Sequence, residues 1–193
     1  MKSSKFNLIL VLSFLFAFTF CGQKHPTIVI QTEFGEIKVE IYEKQAPIAA
    51  TNFLKYVDEN RFENGRFHRT VTMDNQPNND VKIEVIQGGL GISENRLPAI
   101  EHETTETTGI LHKNGTISMA RSKPGSASSD FFICINDQPE LDFGGKRNPD
   151  GQGFSTFGKV IKGMDVVHKI HKQPVEGQSL KPAIEIINII RSK

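Results

Sequence analysis

The chain has 193 residues, of which 37% are hydrophobic and 23% charged, the composition of an ordinary globular protein. This length suits one well-packed domain rather than two. The 23 basic and 22 acidic side chains nearly cancel, so the charge indicates neither a nucleic-acid nor an anionic-surface partner. Two cysteines, Cys21 and Cys134, are too few for a disulfide framework or a cysteine-based zinc site.

The N-terminal residues have the pattern of an export signal. Lys2 and Lys5 precede an uncharged and largely apolar run over 8–20, which matches a signal-peptide core and is shorter than the ~20 residues that span a bilayer. Cys21 follows in the sequence FTFC, which resembles a loose bacterial lipobox. We therefore predict a signal peptide over 1–20, a lipidated tether over 21–26 and a lipoprotein of the bacterial cell envelope, anchored in the membrane and facing the periplasm or exterior. Secretion after cleavage nearby and an uncleaved anchor are the alternatives.

Short strands and two helices are predicted beyond the tether. Residues 27–33 and 36–42 alternate apolar and polar side chains, the pattern of half-buried strands, with a tight turn at Gly35. Pro47 begins a helix with one apolar face. Loops are predicted at 72–82, 101–108 and 141–153, where polar or Gly-rich residues cluster. Further strands are predicted at 83–86, 116–120, 131–135, 155–160 and 184–190, and a second helix at 163–171.

Residues 115–135 resemble the central hairpin of the cyclophilins, the peptidyl-prolyl cis–trans isomerases. Residues 115–120 (GTISMA) match the GT-x-SMA motif of that family, and residues 129–133 (SDFFI) match its Ser-x-Phe-Phe-Ile motif. The resemblance covers nearly all of 27–190 and implies one isomerase domain over 27–193. It also implies a mainly β fold, a closed eight-stranded antiparallel β-barrel capped by two α-helices, in which closure removes exposed sheet edges.

The activity that this resemblance implies is rotation about X–Pro bonds in exported proteins, with proline-containing polypeptides as partners. A peptide bond resists rotation by about 18–20 kcal/mol because the nitrogen lone pair is delocalised. A cation aimed at the prolyl nitrogen would act mainly in the twisted transition state, where it raises the rate. Arg69, in an FHR sequence, matches the family's catalytic arginine, and Gln87, in a QGG sequence, matches the glutamine that holds it. The resemblance implies no metal and no organic cofactor.

The other expected site residues bind the substrate. Phe132 matches the floor of the family's proline pocket, while Ala120 and Arg121 occupy positions where family members pair their main chain with the peptide. Phe154 replaces the usual pocket histidine and keeps an apolar wall. The full expected set is Phe132, Met119, Ala120, Arg121, Leu141, Phe154 and Val85.

Three features depart from the family pattern. The spacing between the catalytic arginine and the glutamine is far longer than usual, so residues within 73–82 are inserted beside the active face. Glu84 stands where the family has a pocket phenylalanine, so either Ile83 or Met73 supplies that wall or the pocket is more polar. Glu140 replaces the tryptophan that binds cyclosporin in many members, which predicts weak sensitivity to that drug.

These departures leave a second hypothesis open, a chaperone or scaffold that binds proline peptides on the same barrel with little turnover. Taken singly, Arg69 could be an exposed strand arginine and Phe132 an ordinary core residue; the motifs in order favour the site. His168 and His171 lie one helical turn apart without an acidic or cysteine partner, so they are predicted to be solvated rather than to bind zinc. The protein is expected to act as a monomer.

Overall fold

Ten short strands and three α-helices make up residues 25–192, the part of the chain that the computed structural model describes. The helices are α1 (Pro47–Asp58), α2 (Thr105–Thr108) and α3 (Met164–His171), and a 3-10 turn covers Pro139–Leu141. The strands are β1 (Thr27–Thr32), β2 (Gly35–Ile41), β3 (Arg66–Val71), β4 (Val85–Gly89), β5 (Thr116–Met119), β6 (Phe131–Cys134), β7 (Ser155–Lys162), β8 (Val175–Glu176), β9 (Ser179–Glu185) and β10 (Asn188–Arg191).

The predicted signal peptide and the lipid-bearing Cys21 lie outside the described residues. Within residues 25–192, none of the helices has the length and apolar character needed to cross a bilayer.

All ten strands belong to one antiparallel sheet, in the order β10-β1-β2-β7-β5-β6-β4-β3-β9-β8. No ladder joins β10 to β8 among the described strands, so the sheet is not closed by hydrogen bonds. Instead β9 continues directly into β10 through Ile186 and Ile187, whose amides donate to the carbonyls of Gly65 and Gln31. Because β9 and β10 lie toward opposite ends of this order, the sheet is rolled and the chain itself bridges its ends. The mainly β class is confirmed, whereas the closed barrel of eight strands with two helices is not.

Successive side chains of a strand point to opposite faces of the sheet, and the two faces carry separate apolar clusters. In β6, Phe131 and Ile133 point into the large interior core, which α1 and α3 cover. Phe132 and Cys134 point to the opposite face and form a smaller cluster with Val71, Val85, Leu141 and Ile83. This second cluster forms the floor of the groove described below.

A distant carboxylate caps helix α1. The helix begins at Pro47 as predicted, but its N-cap residue, Ala46, has no side chain that can accept a hydrogen bond. The buried Glu103 instead accepts from the amides of Ile48 and Ala49 at 3.1 and 2.7 Å. A negative charge there satisfies free N–H groups and complements the helix dipole.

The sequence-based assignment misses several elements with weak local patterns. Residues 175–185 form β8 and β9, in which buried side chains do not alternate with exposed ones. The strand expected at 184–190 is divided between β9 and β10. The loop expected at 101–108 contains α2, whose N-cap Thr104 accepts from the Thr107 amide.

Candidate active site

A groove of about 530 Å³ lies over the second apolar cluster. Its lining includes eight of the nine residues predicted for catalysis or substrate binding, which are Arg69, Gln87, Phe132, Ala120, Arg121, Leu141, Phe154 and Val85. The central hairpin, the β3–β4 pair and the loop after the 3-10 turn supply these side chains from distant parts of the chain.

Met119 is the exception, and its position corrects the expectation that it binds the substrate. Its side chain is 1% exposed and packs in the interior core, directly across the sheet from Phe131. Successive side chains of a strand point to opposite faces, so Met119 points inward and Ala120, the next residue, reaches the groove.

Arg69, Gln87 and Phe132 are cross-strand neighbours. Arg69 in β3 lies opposite Gln87 in β4, which lies opposite Phe132 in β6. Neighbouring strands are about 4.8 Å apart, and directly opposite side chains share a face. The three side chains therefore form one row across the groove, with the cation at one end and the aromatic floor at the other.

Neutral amide oxygens hold the Arg69 guanidinium. Its Nη1 donates to Gln87 Oε1 at 2.9 Å, and its Nε and Nη2 donate to Gln178 Oε1 at 3.0 and 2.5 Å. No carboxylate pairs with Arg69 anywhere in residues 25–192. Burial, and next the charge of Arg147, lowers the pKa of Arg69 from its ordinary value, yet a guanidinium stays protonated at neutral pH. The groove therefore contains a permanent positive charge that forms no ion pair with the described side chains.

Aromatic rings form the apolar part of the groove. The Phe132 ring contacts the Phe154 ring edge-on, with centroids 5.2 Å apart. The Arg121 guanidinium lies over the Phe154 ring, 5.1 Å from its centroid. Arg121 is itself fixed, since it donates to both carboxylate oxygens of Asp150 at 2.8 and 2.9 Å and to the Gly153 carbonyl. These rings give the groove an apolar surface on which an apolar side chain can pack.

Free hydrogen-bonding groups lie beside this floor. Neither the N–H nor the C=O of Arg121 has a hydrogen-bond partner in the described chain, and the same holds for Gln87 Nε2. A bound peptide can use these groups for its own amides and carbonyls.

Comparison with known proteins identifies the family. Residues 27–191 match the family model described as cyclophilin type peptidyl-prolyl cis-trans isomerase/CLD. This chain is a cyclophilin-family protein.

Curated relatives support the same assignment. A peptidyl-prolyl cis-trans isomerase of Acinetobacter baylyi is 36% identical over 169 residues, which cover 83% of this chain and 82% of that protein. Peptidyl-prolyl cis-trans isomerase B of Escherichia coli is 32% identical over 151 residues, or 74% of this chain and 82% of that protein.

A solved structure has a similar fold. It is a cyclophilin type peptidyl-prolyl cis-trans isomerase of Cryptosporidium parvum, with a TM-score of 0.67 and 22% identity, covering 88% of this chain and 98% of that one. A second structure of that protein was determined in the presence of the dipeptide Ala-Pro, with a TM-score of 0.65 to this chain.

Aliphatic side chains of this cyclophilin occupy the place of the family's pocket phenylalanine. Ile83 and Val85 both line the groove, whereas Glu84 between them points away and accepts from the Asn136 side chain at 3.0 Å. Met73 is 47% exposed and does not line the groove. The wall is therefore aliphatic, and Glu84 does not make the pocket polar.

Two further groups near the cyclophilin site have no motif in the sequence. Gln178, in the turn between β8 and β9, accepts two of the three hydrogen bonds that Arg69 donates to side chains. His112 stacks on Phe132 from below, with ring centroids 5.8 Å apart and planes 10° apart. A glutamine in a polar turn and a single histidine in a loop match no pattern that local sequence reasoning recognises.

His112 is a buried, neutral support for the floor. Its Nδ1 lies 2.7 Å from Asp142 Oδ1, and its Nε2 lies 3.1 Å from the Ser118 hydroxyl. Nδ1–H donates to the carboxylate, so Nε2 accepts from the hydroxyl. Burial lowers the pKa of His112 below its ordinary value, and the Asp142 carboxylate opposes this effect only in part. The contact is thus a hydrogen bond from a neutral imidazole to a carboxylate rather than a salt bridge.

Proposed function

We propose that this cyclophilin accelerates rotation about X–Pro bonds in exported proteins, with Arg69 as the electrostatic catalyst. The observation that best supports this is the row of Arg69, Gln87 and Phe132 across three adjacent strands, in which no carboxylate of residues 25–192 pairs with the guanidinium. The arrangement puts an uncompensated cation beside an apolar floor large enough for a proline ring.

The proposed mechanism uses donors that Arg69 has left over. A guanidinium has five N–H donors, and three nitrogens of Arg69 already donate to Gln87 and Gln178. The second hydrogen of each terminal nitrogen remains for the substrate. As the X–Pro bond twists, the nitrogen lone pair becomes localised and accepts a hydrogen bond, so the interaction strengthens in the transition state. No covalent bond breaks and no proton is transferred.

Other groups would hold the peptide while the bond turns. The proline ring would pack on Phe132 between Leu141 and Phe154, and the main chain of Arg121 with Gln87 Nε2 would bind the flanking amides. Fixing both sides of the bond lets binding energy act on the twist rather than on the whole peptide.

Exchange NMR on an Ala–Pro peptide tests the proposal. We expect wild-type protein to accelerate cis–trans exchange, and Arg69→Ala to lose that acceleration while remaining folded. A wild-type rate equal to the uncatalysed one would contradict the enzyme assignment.

A second candidate is a binding module that holds proline segments with little turnover. The inserted loop favours it, because Asn79 of that loop extends the groove lining without adding a group that could act on the bond. This candidate predicts measurable peptide binding together with an uncatalysed exchange rate.

We also propose that the mature protein is a monomer attached to the membrane of a bacterial envelope by a lipid on Cys21, after removal of a signal peptide over 1–20. The basic start, the apolar run and the lipobox-like sequence support the signal peptide and the lipid anchor. Radiolabelled palmitate should label the wild-type chain in a bacterial host and should not label Cys21→Ala. Equal labelling of the two would contradict the lipid anchor.

A further inference from the structure

We propose that this groove selects X–Pro segments with an acidic side chain next to the proline, and that Arg147 binds the acid. The inference rests on the proposed function and names its substrate class.

The charge of the groove differs from that of the whole chain. The chain has 23 basic and 22 acidic residues, whereas the groove lining contains Arg69, Arg96, Arg121 and Arg147 against a single carboxylate, Asp130. A cleft lined mainly by one sign of charge attracts ligands of the other sign.

One of these arginines is paired with a carboxylate, and the Asp130 carboxylate is hydrogen-bonded to neutral groups. Asp150 neutralises Arg121 through a bidentate pair. The Asp130 carboxylate accepts from the Gly91 amide at 2.9 Å and from the Ser129 hydroxyl at 3.2 Å, so part of its hydrogen-bonding capacity is used within the protein. The remaining arginines form no ion pair within residues 25–192, and the groove keeps an excess of positive charge.

Arg147 is the arginine best prepared to bind a carboxylate. Its Nη1 donates to Gln76 Oε1 at 2.8 Å and to the Val81 carbonyl at 2.6 Å, which fixes one edge of the guanidinium. Its Nε and Nη2 have no hydrogen-bond partner in the described chain. A carboxylate binds two neighbouring N–H groups of a guanidinium side by side, and a pre-positioned guanidinium loses little entropy on binding it.

The inserted loop fixes this arginine. Gln76 is 1% exposed and closes the base of the loop, where its Nε2 donates to the carbonyls of Thr72 and Ile83 at 2.7 and 2.8 Å. Both acceptors that hold Arg147, Gln76 Oε1 and the Val81 carbonyl, belong to the inserted segment. The insertion therefore sets the position of a second cation beside the catalytic one.

The acid must lie close to the proline because the two sites share one groove. Arg147, Ile83 and Leu141 line the same groove as Phe132, and the charge of Arg147 is near enough to lower the pKa of Arg69. Burial also lowers the pKa of Arg147, so a bound carboxylate would offset the cost of keeping this cation away from water.

Matched peptide pairs test the inference by exchange NMR. One pair has Glu or Gln directly before proline, and the other has Glu or Gln directly after it. We expect kcat/KM for the Glu peptide of at least one pair to exceed that of its Gln twin about tenfold, as a charge-assisted hydrogen bond predicts. High salt should reduce this advantage.

Variants assign the effect to Arg147. Arg147→Gln should bring the Glu-to-Gln ratio close to one, while Arg147→Lys, which keeps the charge, should retain part of it. Lys146→Gln is the matched control, because it makes the same charge change in the same loop at a residue that does not line the groove. We expect it to keep the wild-type ratio.

The outcomes separate this inference from the proposed function. Equal rates for Glu and Gln peptides in the wild type, or an unchanged preference in Arg147→Gln, would overturn the inference and leave the isomerase intact. If the exchange of no peptide is accelerated, the proposed function fails, and Kd values from peptide titrations then test the selectivity. Tighter binding of the Glu peptide that Arg147→Gln abolishes would support the inference. Equal binding of the Glu and Gln peptides would overturn it.

Discussion

Gln178 links Arg69 to the inserted loop. Its Oε1 accepts from Arg69 Nε at 3.0 Å and from Nη2 at 2.5 Å, and its Nε2 donates to the Asn75 carbonyl at 3.1 Å. The Asn75 carbonyl fixes the amide orientation, so the oxygen rather than the nitrogen faces the guanidinium. In the proposed mechanism Gln178 is therefore a positioning residue, which would act on the substrate only through Arg69.

Replacing Gln178 should reduce turnover more than binding. Gln178→Leu removes one of the two acceptors that orient the guanidinium, so we expect kcat to fall about tenfold with little change in peptide Kd. Gln178→Glu keeps an acceptor but adds a negative charge beside the cation, and it should also lower kcat. Exchange NMR and peptide titration separate the two constants. Full kcat in Gln178→Glu would contradict the importance of an unpaired positive charge.

Substitution by leucine should mainly weaken peptide binding at Phe132 and mainly lower the stability of the fold at Phe131. Phe132→Leu reduces the floor of the groove, so we expect a several-fold weaker Kd for a proline peptide and a small loss of stability. Phe131→Leu removes the same atoms from the interior core, where the ring meets Phe53 and Phe67 edge-on, and should cost about 1–3 kcal/mol of unfolding free energy. Its peptide Kd should stay near the wild-type value. Equal effects of both variants on Kd would show that Phe132 is ordinary core.

The stability of the fold should decrease in mild acid because of His112. Burial lowers its folded pKa below the unfolded value of about 6.5. The unfolded chain then binds more protons in that window, so this contribution is fully present above about pH 6.5 and is lost as the pH falls toward the lowered folded pKa. Denaturant unfolding at a series of pH values measures it. The slope of unfolding free energy against pH below about 6.5 should be shallower in His112→Gln, and an identical slope would rule out this role.

Glu103 should contribute to stability through helix α1. Glu103→Ala leaves the Ile48 and Ala49 amides without their acceptor, so we expect a loss of about 1–3 kcal/mol in unfolding free energy. Glu101→Ala, an exposed glutamate of the same segment, is the control and should change stability by less than about 0.5 kcal/mol. Similar losses in the two variants would contradict the capping role.

Motifs predicted most of the expected residues that line the groove, whereas strand periodicity did not show which side chains point into it. The FHR, QGG and double-Phe sequences located the row of Arg69, Gln87 and Phe132 because each is a short local pattern. Met119 is expected to bind the substrate but points into the core, and the sequence does not reveal this because all four residues of β5 are buried, as are those of β6. When both faces of a strand are covered, burial does not alternate and the sequence does not show which side chains point to the groove.

The unpredicted groups depend on contacts between distant segments. Gln178 meets Arg69 across 109 positions of sequence, and Arg147 meets Gln76 across 71. Each is a polar residue in a turn or loop, where composition predicts only exposure. The open order of the sheet also depends on how distant segments meet. The chain continues directly from β9 into β10 and so bridges the two ends of the sheet without the hydrogen-bonded ladder that a closed barrel requires.

The most direct measurement compares kcat with peptide affinity for wild type, Arg69→Lys and Arg69→Ala, by exchange NMR and titration with one Ala–Pro peptide. The account predicts that Arg69→Ala lowers kcat by about 100-fold or more while Kd changes only a few-fold, because the guanidinium acts on the twisted bond. Arg69→Lys keeps the charge but lacks the planar fork of donors, so its kcat should lie between those of the wild type and Arg69→Ala. Wild-type kcat in Arg69→Ala, or a loss confined to Kd, would contradict electrostatic catalysis by Arg69.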